Sequence, residues 1–212
     1  MILCSALVYA KPTESDIYCP IISNARWTYN IVWKNNSKPP YDRVTEIIGK
    51  ENYDGVTYYV FYVPEADGKF LLAKDDKAAY IKLARYAVPF LSFIHFDVVF
   101  EPVVYAIQFP LQKGVSWHYE GVASLKAIGI FNFPTKVWGR CTNTGIETIE
   151  ADGRTMNAYR LYAELEREGV SKTFRASFWF GEGVGLARYE SETIVMTLKS
   201  FEIKSDAVNN TF

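Results

Sequence analysis

Cysteine is scarce in this chain: three among 212 residues, at Cys4, Cys19 and Cys141, with no C-x-x-C spacing. A zinc ribbon and a thioredoxin-type dithiol therefore have no sequence support. Spacing alone leaves open whether Cys19 and Cys141 pair or stay as thiols. Histidine is scarcer still. His95 and His118 are the only two, and neither has a partner at metal-ligand spacing. No G-x-S-x-G elbow marks a nucleophile. The run Gly181-Glu182-Gly183-Val184-Gly185 lacks the G-x-G-x-x-G spacing, and no helix-forming segment follows to face a phosphate; it reads as a hairpin turn. Neither sign of charge is in excess, with 23 basic and 24 acidic residues and a formal net charge of −1. A global field that recruits nucleic acid is thereby excluded. The most apolar stretch, 87–109, is interrupted by Pro89 and Pro102 and carries Asp97 and Glu101 mid-span, so it does not read as a transmembrane helix. No cofactor, metal or motif-defined catalytic residue is expected.

Aromatic residues are abundant, at 16% of the chain: 15 Tyr, 14 Phe and 5 Trp. Together with many Val, Ile and Thr they favour extended structure. Strands are expected at Trp27–Trp33, Arg43–Ile48 and Thr57–Val63. Asn35 to Pro40 form a loop, and Asp54-Gly55 and Asp67-Gly68 form turns. The stretch 78–88 alternates better than it makes a helical stripe and is assigned to strand. Leu161, Ala163 and Leu165 alternate with Arg160, Glu164 and Glu166. Phe174, Ala176, Phe178 and Phe180 alternate with Arg175, Ser177 and Trp179. Glu168-Gly169 lies between the two runs, so a hairpin is expected with Leu161, Phe174 and Phe178 turned inward. No helix longer than two turns is expected. The fold class is all-β, an antiparallel meander.

A short pattern occurs twice. Cys19-Pro20-Ile21 precedes Trp27-Thr28-Tyr29, and Phe109-Pro110-Leu111 precedes Trp117-His118-Tyr119. Pro to Trp is seven positions in both copies, and each copy then reaches an Asp-Gly-x-Thr turn, at Asp54 and at Asp152. The chain reads as one β-rich domain over 11–212, built from related halves at about 17–100 and 107–204. Residues 1–10, MILCSALVYA, read as the end of a secretory leader, with a first strand as the alternative.

Two motifs carry a family resemblance. One is Phe109-Pro110-Leu111-x-x-Gly114-x-x-Trp117-x-Tyr119. The other is Trp179-Phe180-Gly181-x-Gly183-Val184-Gly185-Leu186-Ala187. With the Asp-Gly-x-Thr turns they resemble a family of bacterial exported proteins of unknown function, similar in fold to the lipoprotein-localisation carriers, the LolA-like group. The resemblance runs from about Tyr18 to Lys204. The first copy departs from the pattern, with Asn24 in the place of Gly114 and Cys19 in the place of Phe109. The resemblance implies a curved antiparallel sheet or half-barrel, which in the carriers wraps an apolar cavity closed by a helical plug. It implies an exported protein of the periplasm or envelope and supplies no catalytic residues.

The favoured reading is a non-enzymatic exported protein that binds a lipid, another apolar small molecule or an envelope protein. The stretch 87–109 is either buried strand or the border of a cavity or contact surface. Its candidate contact residues are Phe90, Phe93, Phe96 and Phe100. Trp27 and Trp117 join them if they line a cavity, and otherwise anchor the core. The competing readings are a hydrolase-type enzyme whose site is assembled from distant residues such as His118, Glu120 and Asp152, and a purely structural envelope component.

Overall fold

The computed structural model describes residues 11–88, 91–127 and 131–204, with side chains except at 86–88, 91–96, 126–127 and 131. Residues 1–10, and with them the leader reading and Cys4, lie outside the described residues. The chain opens with a short helix, α1 (Glu14–Tyr18). Twelve strands follow: β1 (Ala25–Trp33), β2 (Tyr41–Tyr53), β3 (Val56–Val63), β4 (Gly68–Lys74), β5 (Ala78–Val88), β6 (Leu91–Gln108), β7 (Ser116–Ala127), β8 (Phe131–Ala151), β9 (Arg154–Arg167), β10 (Val170–Gly181), β11 (Gly185–Ser191) and β12 (Ile194–Ile203).

Alternation makes the strands. In β1, Ala25, Trp27, Tyr29 and Ile31 are buried between more exposed neighbours, so period-two burial holds the segment extended. Consecutive strands pair antiparallel in a meander. β1 pairs with β2 on one side and with β12 on the other, through Trp27↔Phe201 and Ile31↔Met196 among others. The sheet is therefore a closed twelve-stranded barrel. This corrects the expectation of an open curved sheet or half-barrel. The physical reason is edge satisfaction: an open sheet leaves two rows of unpaired N–H and C=O groups, and joining β1 to β12 removes both.

Both Asp-Gly-x-Thr turns form tight hairpins. Asp54 and Gly55 take φ of 53° and 79°, and Asp152 and Gly153 take 55° and 67°. Positive φ at both central positions is the turn geometry that matches strand twist and that Asp-Gly tolerates. The first joins β2 to β3 and the second β8 to β9, six places further along the barrel. Trp27 is the third residue of β1 and Trp117 the second of β7. Each indole Nε1 donates to a backbone carbonyl, Trp27 to Val184 at 2.7 Å and Trp117 to Tyr105 at 3.0 Å.

β9 and β10 pair with Leu161 opposite Phe178 and Leu165 opposite Phe174. Leu161 is fully buried, whereas Phe174 is 46% exposed. Alternation places Phe174 on the Leu161 side of the sheet, but it sits beyond the covered part of the core. Several strands bury both faces. On β10, Phe180 belongs to one buried cluster with Trp117 and Leu161, while Trp179 belongs to another with Ile149 and Ala158. The second layer arises where a hairpin tip folds back over the sheet. Asp152 N donates to Leu198 O at 2.8 Å, and Phe201 N donates to Asp152 Oδ1 at 3.1 Å.

One barrel end is sealed by residues 13–20. Thr13 and Asp16 cap α1 reciprocally. Leu111 N donates to Glu14 Oε2 at 2.8 Å, Lys74 Nζ reaches Asp16 Oδ1 at 2.7 Å, and Gly183 N donates to Ile17 O at 2.9 Å. Tyr18 packs edge-on to Tyr159 with ring centroids 5.1 Å apart. This strap thereby ties the β4–β5, β6–β7 and β10–β11 sides of the barrel together.

Candidate functional site

The opposite end has no such strap among the described residues. Strands β5 to β8 overshoot their neighbours there. The β9 ladder with β8 ends at Val137↔Arg167, and Lys136 still bonds Glu168 just beyond it, so residues 131–135 of β8 pair with β7 alone. Five residues of extended chain project about 17 Å. The inner face of this flap carries Val98, Phe100, Tyr119, Ala123 and Val137, with Leu165 packed against them. Phe100 meets Tyr119 edge-on at 6.4 Å. Further out on the same face the apolar side chains emerge into solvent: Phe133 is 56% exposed and Phe174 46%.

Among the candidate contact residues, Phe100 thus lies at the base of this apolar end. Phe93 and Phe96 belong to β6, and Phe96 pairs with Ala127 at the outer part of the flap; their side chains are outside the described set. Phe90 lies outside the described residues altogether. Trp27 and Trp117 are buried, at 4% and 7% exposure. Trp27 is packed between Phe61 and Phe201, at 5.6 and 5.2 Å. Trp117 packs with Ile107, Leu111 and Leu161. Phe133, Leu165 and Phe174 were not legible as site residues. Alternation assigns their face, but only the strand lengths show where that face outruns its cover.

A second feature is an open cleft of about 580 Å³ on the outer face of β7–β9, lined by His118, Glu120, Trp138, Arg140, Glu164 and Glu166. It unites two of the three residues named for a hydrolase. Asp152 is not with them: it is at the β8–β9 turn, bonded to β12. Two of the three acids of the cleft, Glu164 and Glu166, already have partners. Trp138 Nε1 donates to Glu166 Oε2 at 2.7 Å, and Arg175 Nε donates to Glu164 Oε1 at 3.1 Å.

On the neighbouring outer face the Trp179 ring lies between the guanidinium groups of Arg160 and Arg188, each 5.2 Å from it. Its Nε1 donates to Glu147 Oε2 at 2.8 Å, and Arg160 Nη1 reaches Glu147 Oε1 at 3.0 Å. Burial pushes the Glu147 carboxyl up, but these donors outweigh it and hold the group below its ordinary value. The arrangement is self-neutralised. Cys19 and Cys141 are both free thiols. Burial pushes each up to about 12, so neither is a nucleophile at neutral pH. Among the described residues no group of three or more His, Cys, Asp or Glu side chains is arranged to hold a metal.

No protein-family model matches this sequence, and no curated protein matches it. Solved structures do. A provisionally described exported protein with a YmcC-like fold from Bacteroides fragilis is 12% identical, with a TM-score of 0.53 over 88% of this chain and 99% of that one. A provisionally described lipoprotein from Parabacteroides distasonis is 10% identical, with a TM-score of 0.52 over 88% of this chain and 98% of that one. At such identities the likeness is one of fold. Neither protein carries the LolA-like description.

Proposed function

We propose that this chain is a non-catalytic exported protein of the bacterial envelope that holds an apolar ligand at the flap end of its barrel. One observation carries the reading: one barrel end is sealed by residues 13–20, while at the other the inner aromatic face runs out into solvent at Phe174 and Phe133. Exposed aromatic area beside a packed apolar base marks a place for a ligand. On the β6 side of that end, Phe100 and Val98 pack into its apolar base. The apolar segment 1–10 and the fold likeness to exported and lipoprotein-type proteins support the envelope location.

Native mass spectrometry of protein purified from its bacterial envelope tests the reading. The expected result is a bound amphiphile or apolar molecule that Phe174→Ser loses. Phe174 is solvent-facing, so this change shifts the melting temperature by no more than about 1–2 °C. Purified protein that carries nothing and also fails to bind a neutral apolar probe such as N-phenylnaphthylamine refutes the proposal.

A further inference from the structure

We infer that the occupant of this end is an anionic amphiphile, with its headgroup on Arg167 and its chain along Leu165, Phe174 and Phe133. The inference rests on the apolar-ligand reading and adds a charge to it. β9 pairs with β8 in unbroken register from Leu161 to Arg167, through Asn143↔Leu161, Gly139↔Leu165 and Val137↔Arg167. Alternation therefore puts Arg167 on the inner face with Leu161 and Leu165. Its partner across the ladder, Val137, is only 4% exposed. Arg167 is itself exposed, at the strand end where the packed core gives way to the aromatic rim, across from Val170 at 39% exposure.

Arg167 also lacks a counter-charge on this face. Arg160, Lys172 and Arg175 nearby are each paired, with Glu147, Glu192 and Glu164. Arg167 has no ion pair or side-chain hydrogen bond among the described residues. The carboxylates beside it in sequence are committed elsewhere. Glu166 accepts from Trp138 on the outer face, and Glu168 accepts from Lys136 N while its own N donates to Lys136 O. A neutral ligand leaves the guanidinium unmatched, and a cationic one is repelled. A carboxylate or phosphate oxygen pair matches its planar fork of donors. Hydrogen bonds to charged groups are worth about 1.5–3 kcal/mol, which is about tenfold or more in affinity.

Calorimetric titration of the full chain with four probes of equal chain length tests this: dodecanoate, dodecyl phosphate, dodecanol and dodecyltrimethylammonium, each kept below micelle formation. The anions should bind at least about tenfold tighter than the alcohol, and the ammonium weakest. The ratio between the two anions distinguishes a carboxylate from a phosphate headgroup. Arg167→Gln should abolish the preference and keep dodecanol binding, whereas Phe174→Ser should weaken all four. Equal binding of dodecanoate and dodecanol by the unaltered protein overturns the headgroup assignment and leaves the apolar site standing. Binding of none of the four overturns both. Sedimentation without probe covers the remaining occupant: a dimer that Phe174→Ser dissociates shows a second copy on this face and overturns the ligand.

Discussion

Single side chains decide how closely strands approach. A Cβ on Gly139 lies 2.4 Å from Glu164 O and 3.2 Å from Leu165 Cα, both of them backbone atoms. Backbone in the middle of a ladder cannot step aside, so Gly139→Ala is expected to cost about 1–3 kcal/mol. A scanning calorimeter should register a fall in melting temperature of roughly 2–12 °C. An unchanged melting temperature means that β9 shifts freely, against the reading of a rigid flap base. The cysteines make the opposite case, of side chains made silent by burial. With both thiols up at about 12, Cys19 and Cys141 should stay unlabelled by a thiol reagent at pH 8 until denaturant is added. Peptide mass mapping reads this out residue by residue. Fast labelling of Cys19 in the native protein contradicts the sealed end.

At the scale of elements, the strap over residues 13–20 is held by contacts of unequal character. The apolar ones, Tyr18 on Tyr159 and Pro20 against Gly185, are indifferent to pH. The Asp16–Lys74 contact is not. Lys74, then the Thr13 backbone and hydroxyl, lower the Asp16 carboxyl from 3.8 to about 2. A carboxylate held low in the folded state stabilises it fully above its unfolded value, and that share is lost as pH falls through the folded one. The Asp16 share of strap stability should therefore disappear between about pH 4 and pH 2. Hydrogen exchange of the Asp16 and Ile17 amides should be slower in the native protein than in Asp16→Asn at pH 6. Near pH 2 the difference should vanish. A difference that persists there assigns the strap's order to its other contacts. Half of this sealed end was legible. The turn Gly181–Gly185 was read as a turn, but Glu14 to Leu111 spans 97 positions, and no local pattern announces such a bond.

For the molecule as a whole, closure is the controlling feature. β1 finds its second partner in the last strand, and β6 finds one in β7. Neither half has paired edges without the other, so unfolding is expected as one transition. Calorimetric and van't Hoff enthalpies should agree. A fragment of residues 11–111 should lack the sharp melting of the full chain, because its β1 and β6 edges are both left unpaired. A fragment that melts cooperatively shows independent halves instead. The Asp54 and Asp152 turns lie six strands apart along the barrel, as do Trp27 and Trp117.

The sequence by itself determined the strands that alternate clearly, β1, β3, β9 and β10 among them, because alternation is a local consequence of one covered face; β6 to β8 were not assigned from it. It also determined the tight turns, because Asp-Gly accepts positive φ at both central positions. The β9–β10 hairpin at Leu161 and Phe178 and the strand at 78–88 follow from alternation, the hairpin also from Glu168-Gly169 between its runs. Only the tertiary structure decided whether the sheet stays open or closes, since that depends on β1 meeting β12 across more than 150 residues, as Ala25 and Ile203 do. It also decided which aromatic residues are core and which are rim. Trp27, Phe100 and Phe174 all occupy inward positions of alternating strands. Their exposure is set by how far the neighbouring strands run, and strand length relative to neighbours is a property of the assembled barrel.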